Sequence, residues 1–122
     1  MEKQEIFDKA VKGILAQGAY AYDYDNHDCM YCDLEGNKCA LGLLAKDDEQ
    51  AEEWESNCLT PTEIGRALGI EDTGTLKFME FLQAEHDDIA KESNAEFIKS
   101  EFIDAMRYVA EKHSLDFPEI SG

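Results

Sequence analysis

Apolar residues recur at helical spacing through most of this chain, and that period limits its fold more than any other feature. Phe7, Val11, Ile14 and Leu15 fall at i, i+4, i+7 and i+8, one face of a helix over 3–18 that Gly18 stops. Thr60-Pro61-Thr62-Glu63 is a helix start: Thr60 caps, Pro61 suits the first helical position, and Glu63 completes a capping box. That helix ends near Gly69. Thr73 or Thr75 opens the next, with Leu76, Phe78, Met79 and Leu82 as its apolar face, running to about Asp88. Ser93-Asn94-Ala95-Glu96 is a further capping box. It opens a helix to about His113, with Ile98, Phe102, Ala105, Met106 and Val109 along one side.

The remaining segments are less helical. In AYAYDYDNHD, residues 19–28, aromatic and acidic residues alternate, which suits an extended segment or exposed strand. Cys29 to Cys39 reads as a β-hairpin, because Gly36 and Asn37 tolerate the positive φ of a tight turn. Ala40–Ala45 is a short apolar run, expected to form a buried helical turn or two. DDEQAEEWE, residues 47–55, carries six acids and no base, and its periodicity fits a helix or a loop equally. Asp116-Phe117-Pro118 ends the regular structure, and residues 121–122 are expected to fray. The expected fold is mainly α (α+β): about four helices, with a zinc-stapled β-hairpin inserted after the first. One domain spans 1–122, with the metal-binding hairpin at 27–58 inside it.

The net charge is −17, from 28 acidic and 11 basic residues. Such a field repels nucleic acid and anionic membrane surfaces and attracts basic protein surfaces. Acidity of this kind also keeps a small protein soluble. Met1-Glu2-Lys3-Gln4-Glu5 leads into an amphipathic segment, so no secretory signal is expected, and no run approaches the ~20 apolar residues of a membrane span. The expected location is the cytosol, where disulfides rarely persist.

That placement bears on the four cysteines. Cys29 and Cys32 are separated by two residues, and Cys39 follows within the same eleven-residue stretch. Two residues between thiolates let both sulfurs bend around one ion, and a hairpin can bring a third to the same side. Cys58 is the expected fourth ligand of a structural Zn2+, because it would tie the segment entering the Thr60 helix to the hairpin; His27 is the alternative. Four thiolates close the site to substrate, which argues for a structural ion. Asp23-Tyr24-Asp25-Asn26-His27-Asp28 begins like a calcium loop. It has Asp28 where that loop needs Gly, and Leu34 where it needs Glu.

From Cys29 onward, CMYCDLEGNKCALGLL resembles a family of small phage and prophage proteins with a C-x-Y, a short Gly/Asn turn, then K-C-A-[I/L]-G-x-L. The resemblance begins at Glu5-Ile6-Phe7-Asp8-Lys9-Ala10. It ends on a leucine-rich helix closing in H-D, here Leu82-Gln83-Ala84-Glu85-His86-Asp87. It carries over Cys29, Tyr31, Lys38, Cys39, Ala40 and Gly42, with His86 and Asp87. Members often have a basic residue where Cys32 stands and a further Cys where Leu43 stands. The resemblance implies a phage origin and no reaction. In size and charge the chain is also similar to phage-encoded inhibitors of host defence, anti-CRISPR proteins among them.

No nucleophile elbow, phosphate loop or dinucleotide fingerprint occurs, and no enzyme activity is expected. His86-Asp87-Asp88 lacks the histidines of a metal phosphohydrolase; His86 is expected to pack or cap, and His113 to favour a helix C-terminus. Trp54, alone in the acidic run, is either a satellite of the core or an exposed anchor for a partner. Tyr20, Tyr22 and Tyr24 suit a half-buried edge strand or the border of a basic partner. The expected function is inhibition of a host defence protein, a type II CRISPR effector nuclease above all. An acidic surface of Asp47, Asp48, Glu49, Glu52, Glu53, Trp54 and Glu55 would dock on a basic groove and block nucleic acid loading. The alternative is a zinc-binding structural or adaptor protein of phage replication or morphogenesis.

Overall fold

A computed structural model describes residues 2–20, 22–23, 28–29, 38–57, 59–92 and 96–118. Among the described residues five α-helices carry the fold: α1 Lys3–Gln17, α2 Asp48–Ser56, α3 Pro61–Ala67, α4 Thr73–Glu92 and α5 Lys99–Lys112. Two two-residue strands, β1 Tyr22–Asp23 and β2 Asp28–Cys29, pair antiparallel, with Tyr22 opposite Cys29 and Asp23 opposite Asp28. A 3-10 turn occupies Gly42–Leu44.

The expected zinc-stapled hairpin between Cys29 and Cys39 is corrected by this arrangement. Among the described residues the paired strands lie one segment earlier, with Cys29 opposite Tyr22. At the other end, Cys39 is fully buried in the apolar cluster. No group of three or more His, Cys, Asp or Glu side chains among the described residues is arranged to hold a metal. The Gly36-Asn37 turn lies outside the described residues.

Helix α1 buries Ile6, Phe7, Ala10, Val11 and Ile14, the stripe that its period marks. It stops where Gly18 turns left-handed at φ 69° and its N–H bonds the Ile14 carbonyl. Past that stop, Gln17 fastens the chain that follows: its Oε1 accepts from Lys38 N at 2.7 Å and its Nε2 donates to Lys38 O at 2.8 Å. The 3-10 turn packs against α1, with Leu43 lying over Gly13.

The acidic run resolves as a helix. Asp47 caps α2 by accepting from Gln50 N at 2.8 Å, and the acids of its first turn suit the positive end of the helix dipole. Helix α3 has the capping box in both directions: Glu63 N donates to Thr60 Oγ1, and Thr60 N donates to Glu63 Oε1. Gly69, at φ 83°, turns the chain toward α4. Helix α4 runs four residues beyond the expected Asp88, to Glu92. Helix α5 begins at Lys99; residues 96–98 are not helical, so Ile98 is its cap and is exposed rather than on the apolar face. Residues 93–95 of the expected capping box lie outside the described residues.

One hydrophobic cluster draws side chains from all five helices, including Phe7, Trp54, Ile64, Phe78, Leu82, Phe102 and Met106. The C-terminal segment is fastened back by Gln4, whose Nε2 donates to Asp116 O and whose Oε1 accepts from Asp116 N. No described helix is long and apolar enough to cross a membrane.

Candidate functional site

Two features stand out: an acidic helix face and a buried polar chain beneath the strands. The first is α2. Ala51 and Trp54 point inward, Trp54 at 3% exposure, while Asp47, Asp48, Glu49, Glu52 and Glu53 are exposed and Glu55 is half-buried. The exposed-anchor role for Trp54 is thereby corrected: its indole is in the core and secures α2, because a side chain of that size contributes most when desolvated. Not all the acids are equivalent. Asp47 is committed to the cap, and Asp48 forms an ion pair with Lys38. Glu49, Glu52 and Glu53 form the outward face.

The second feature grows from α4. Its inward stripe, Leu76, Met79, Leu82 and Ala90, also contains Gln83 and His86, both buried. Gln83 Oε1 accepts from the Cys39 thiol at 3.3 Å and from Leu41 N at 3.2 Å. Its Nε2 donates to Asp87 Oδ1 at 2.8 Å, and the same oxygen lies 3.1 Å from His86 Nδ1. The result is a continuous polar chain, Cys39–Gln83–Asp87–His86, inside an apolar surround. Tyr20 closes it edge-on, with its ring centroid 5.4 Å from that of His86. Tyr20 also packs on Phe97 and Phe102. Among the described residues neither Tyr20 Oη nor His86 Nε2 has a hydrogen-bond partner, although both are buried.

Burial pushes the Cys39 thiol up to about 12; the backbone N–H groups of Gly42 and Leu41 and the side-chain hydrogen bond with Gln83 oppose this, and the nearby Asp87 charge adds to it. Burial, then Glu101, pushes the Tyr20 phenol up to about 12. Both groups therefore stay protonated at neutral pH. Cys39 acts as an S–H donor seated in the core, not as an exposed nucleophile.

The residues expected to hold zinc fare differently from one another. Cys39 is committed to Gln83, Cys29 stands on β2 at the backbone, and Cys32, Cys58 and the alternative His27 lie outside the described residues. Of the positions carried over from the resemblance, Lys38 pairs with Asp48, Ala40 and Gly42 are buried, and Tyr31 is outside the described residues. His86 is fully buried within α4 and does not cap a helix end. Sequence reasoning did not single out Gln83, and it placed Tyr20 on a half-buried edge strand or at the border of a basic partner, whereas Tyr20 is buried at 4% exposure. The signal for Gln83 was its place on an otherwise apolar stripe: residues 79, 82, 83, 86 and 90 share one face, and two of them are polar. No family model, curated protein or solved structure matches the chain.

Proposed function

We propose that this protein acts by binding, through the acidic outer face of α2, on a basic surface of another protein. The observation that supports it is the orientation of α2. Trp54 and Ala51 anchor the helix in the core, so that Glu49, Glu52 and Glu53 are presented on a fixed scaffold rather than on a loose tail. A fixed array of carboxylates loses little side-chain and backbone entropy on docking and complements a groove lined by Lys and Arg. The net charge of −17 extends the same field over the molecule and speeds encounter with a cationic partner.

In its specific form, the partner is a host defence protein whose basic groove holds nucleic acid, a type II CRISPR effector nuclease. The mechanism is occlusion, without chemistry at the inhibitor. The test combines charge reversal with a nuclease assay. Wild-type protein should lower target loading and cleavage, and the effect should weaken as salt rises. Glu49→Lys, Glu52→Lys and Glu53→Lys together should abolish it while leaving the thermal transition in place. Cleavage unaffected by a large excess of wild-type protein would exclude the nuclease as partner. Inhibition unchanged in the triple variant would exclude α2 as the docking face.

A further inference from the structure

We propose that the groove between α3 and α4 binds a small organic anion. Arg66 and Lys77 hold its phosphate or carboxylate group, and its apolar body lies over Ile70 and Leu76.

The groove follows from the way the two helices pack. Thr62 and Arg66, four residues apart, line it from α3, and Leu76, Lys77 and Glu80 line it from α4. The chain turns between these walls at Gly69, whose φ is 83°, and Ile70 N donates to Gly65 O at 2.9 Å, which fixes the turn. The space enclosed is about 620 Å³. Small-molecule sites commonly occupy roughly 300–1,000 Å³ and combine an apolar lining with a few convergent polar groups. Here Ile70 and Leu76, both buried, supply the apolar lining. Both walls are rigid: α3 starts on its reciprocal capping box, and α4 is a 20-residue helix. A site formed in advance loses little entropy when a ligand enters.

The charges in the groove say what it takes. Carboxylates outnumber cations 28 to 11 in this chain, so an ion pair is easily made. Lys9 and Lys38 make one, and Arg107 and Lys112 lie over aromatic rings. Arg66 and Lys77 do neither among the described residues, although Glu71 and Glu80 line the same groove. Glu80 instead accepts from the Thr62 hydroxyl at 2.9 Å. Two cations without carboxylate partners thus share one cavity. A guanidinium fork matches the paired oxygens of a carboxylate or phosphate, and an ammonium adds a second point charge. The ligand is small because a net charge of −17 repels a polyanion approaching over a wide front. A single anionic group inside the groove meets chiefly the two cations beside it, since charges beyond roughly 8 Å are screened at physiological salt.

The test is a titration of the full chain followed by ¹H–¹⁵N correlation spectra, with phenyl phosphate, phenylacetate and the neutral phenylacetamide as probes. At least one anion should give saturable shifts centred on residues 62–80, and phenylacetamide should bind at least about tenfold more weakly. Arg66→Gln and Lys77→Gln should each weaken anion binding by about tenfold. Both side chains are exposed, so the substitutions leave the core intact, and the spectra of the free variants verify the fold. Lys99→Gln changes net charge equally at an exposed position on α5 outside the groove, and it should bind like wild type. Tighter binding of phenyl phosphate assigns a phosphate ligand, and tighter binding of phenylacetate assigns a carboxylate; either upholds the site. Absence of saturable shifts with both anions, shifts centred elsewhere, or phenylacetamide binding as tightly as the anions would each overturn the proposal. So would wild-type affinity in both groove variants, or an equal loss in Lys99→Gln. No partner protein and no residue of α2 enters these measurements, so their outcome is independent of the docking test.

Discussion

His113 shows how a single side chain can set a pH dependence. It caps the C-terminal end of α5, and its ring lies edge-on to Phe78 and Phe81, with centroids 4.9 and 4.8 Å away. Burial, followed by the charges of Lys3 and Lys112, holds its imidazole below the ordinary histidine value. The unfolded chain therefore takes up this proton more readily than the folded one. The stability tied to His113 is complete above about pH 6.5 and is lost as pH falls through the depressed folded value. Urea unfolding at a series of pH values should show stability declining below about pH 6.5, and His113→Phe should flatten that decline while keeping the aromatic packing. An unchanged slope in the variant would assign the titration elsewhere. Asp72 contributes in a separate, lower window. Hydrogen bonds from the Thr75 hydroxyl and N–H keep its carboxylate below the usual range, so its contribution is present above the ordinary carboxylate value and is lost as pH falls through the lowered one.

Among the elements, the α3–α4 pair depends most on one small residue. A Cβ at Gly65 would overlap Leu76 Cδ2 and come within 3.1 Å of Met79 Sδ, both buried. The two helices can approach this closely because position 65 has no side chain. Gly65→Ala gains helix propensity but forces two core residues from their rotamers, and overpacking of this kind costs about 1–3 kcal/mol. The urea midpoint should drop accordingly; a rise would mean that Leu76 repacks without strain. Helix starts were well marked at this scale. Thr60, Pro61 and Glu63 form the expected cap because each interaction there is local, within three residues. The start of α5 was misread by several residues, and Ile98 became a cap, since a Ser-x-x-Glu pattern says nothing about the packing that holds residues 96–98 out of the helix.

For the molecule as a whole, charge works against compactness. Twenty-eight acids face eleven bases, and among the described residues Lys9–Glu5 and Lys38–Asp48 are Lys–carboxylate pairs that offset a little of this. Such exposed pairs contribute little each, whereas the summed repulsion acts across the whole surface. Raising ionic strength from about 0.01 to about 0.15 M shortens the screening length from roughly 30 to roughly 8 Å. The urea midpoint should therefore rise with salt at constant m-value. A fall would show that specific ion pairs outweigh the general repulsion. Opposing that repulsion is the single cluster that draws on every helix, from Phe7 in α1 to Val109 in α5.

The sequence by itself determined α1, α3, α4 and the body of α5, and which faces of α1, α4 and α5 turn inward. Phe7, Val11 and Ile14, then Leu76, Phe78, Met79 and Leu82, and Phe102, Met106 and Val109 are buried as their spacing requires, because a 3.6-residue period and local caps are properties of neighbouring residues. Cysteine spacing misled for the same reason. It records which thiols are near in the chain, and it cannot register that Gln83, forty-four residues away, takes the Cys39 thiol into the core. Only tertiary structure decided that Trp54 faces inward, leaving Glu49, Glu52 and Glu53 on the outer surface of α2. It alone brought Tyr20, Cys39, Gln83 and His86 into one buried group that the half-buried Asp87 joins. The physical reason is that burial of a polar group depends on partners supplied from distant segments, and those partners exist only after the helices have packed.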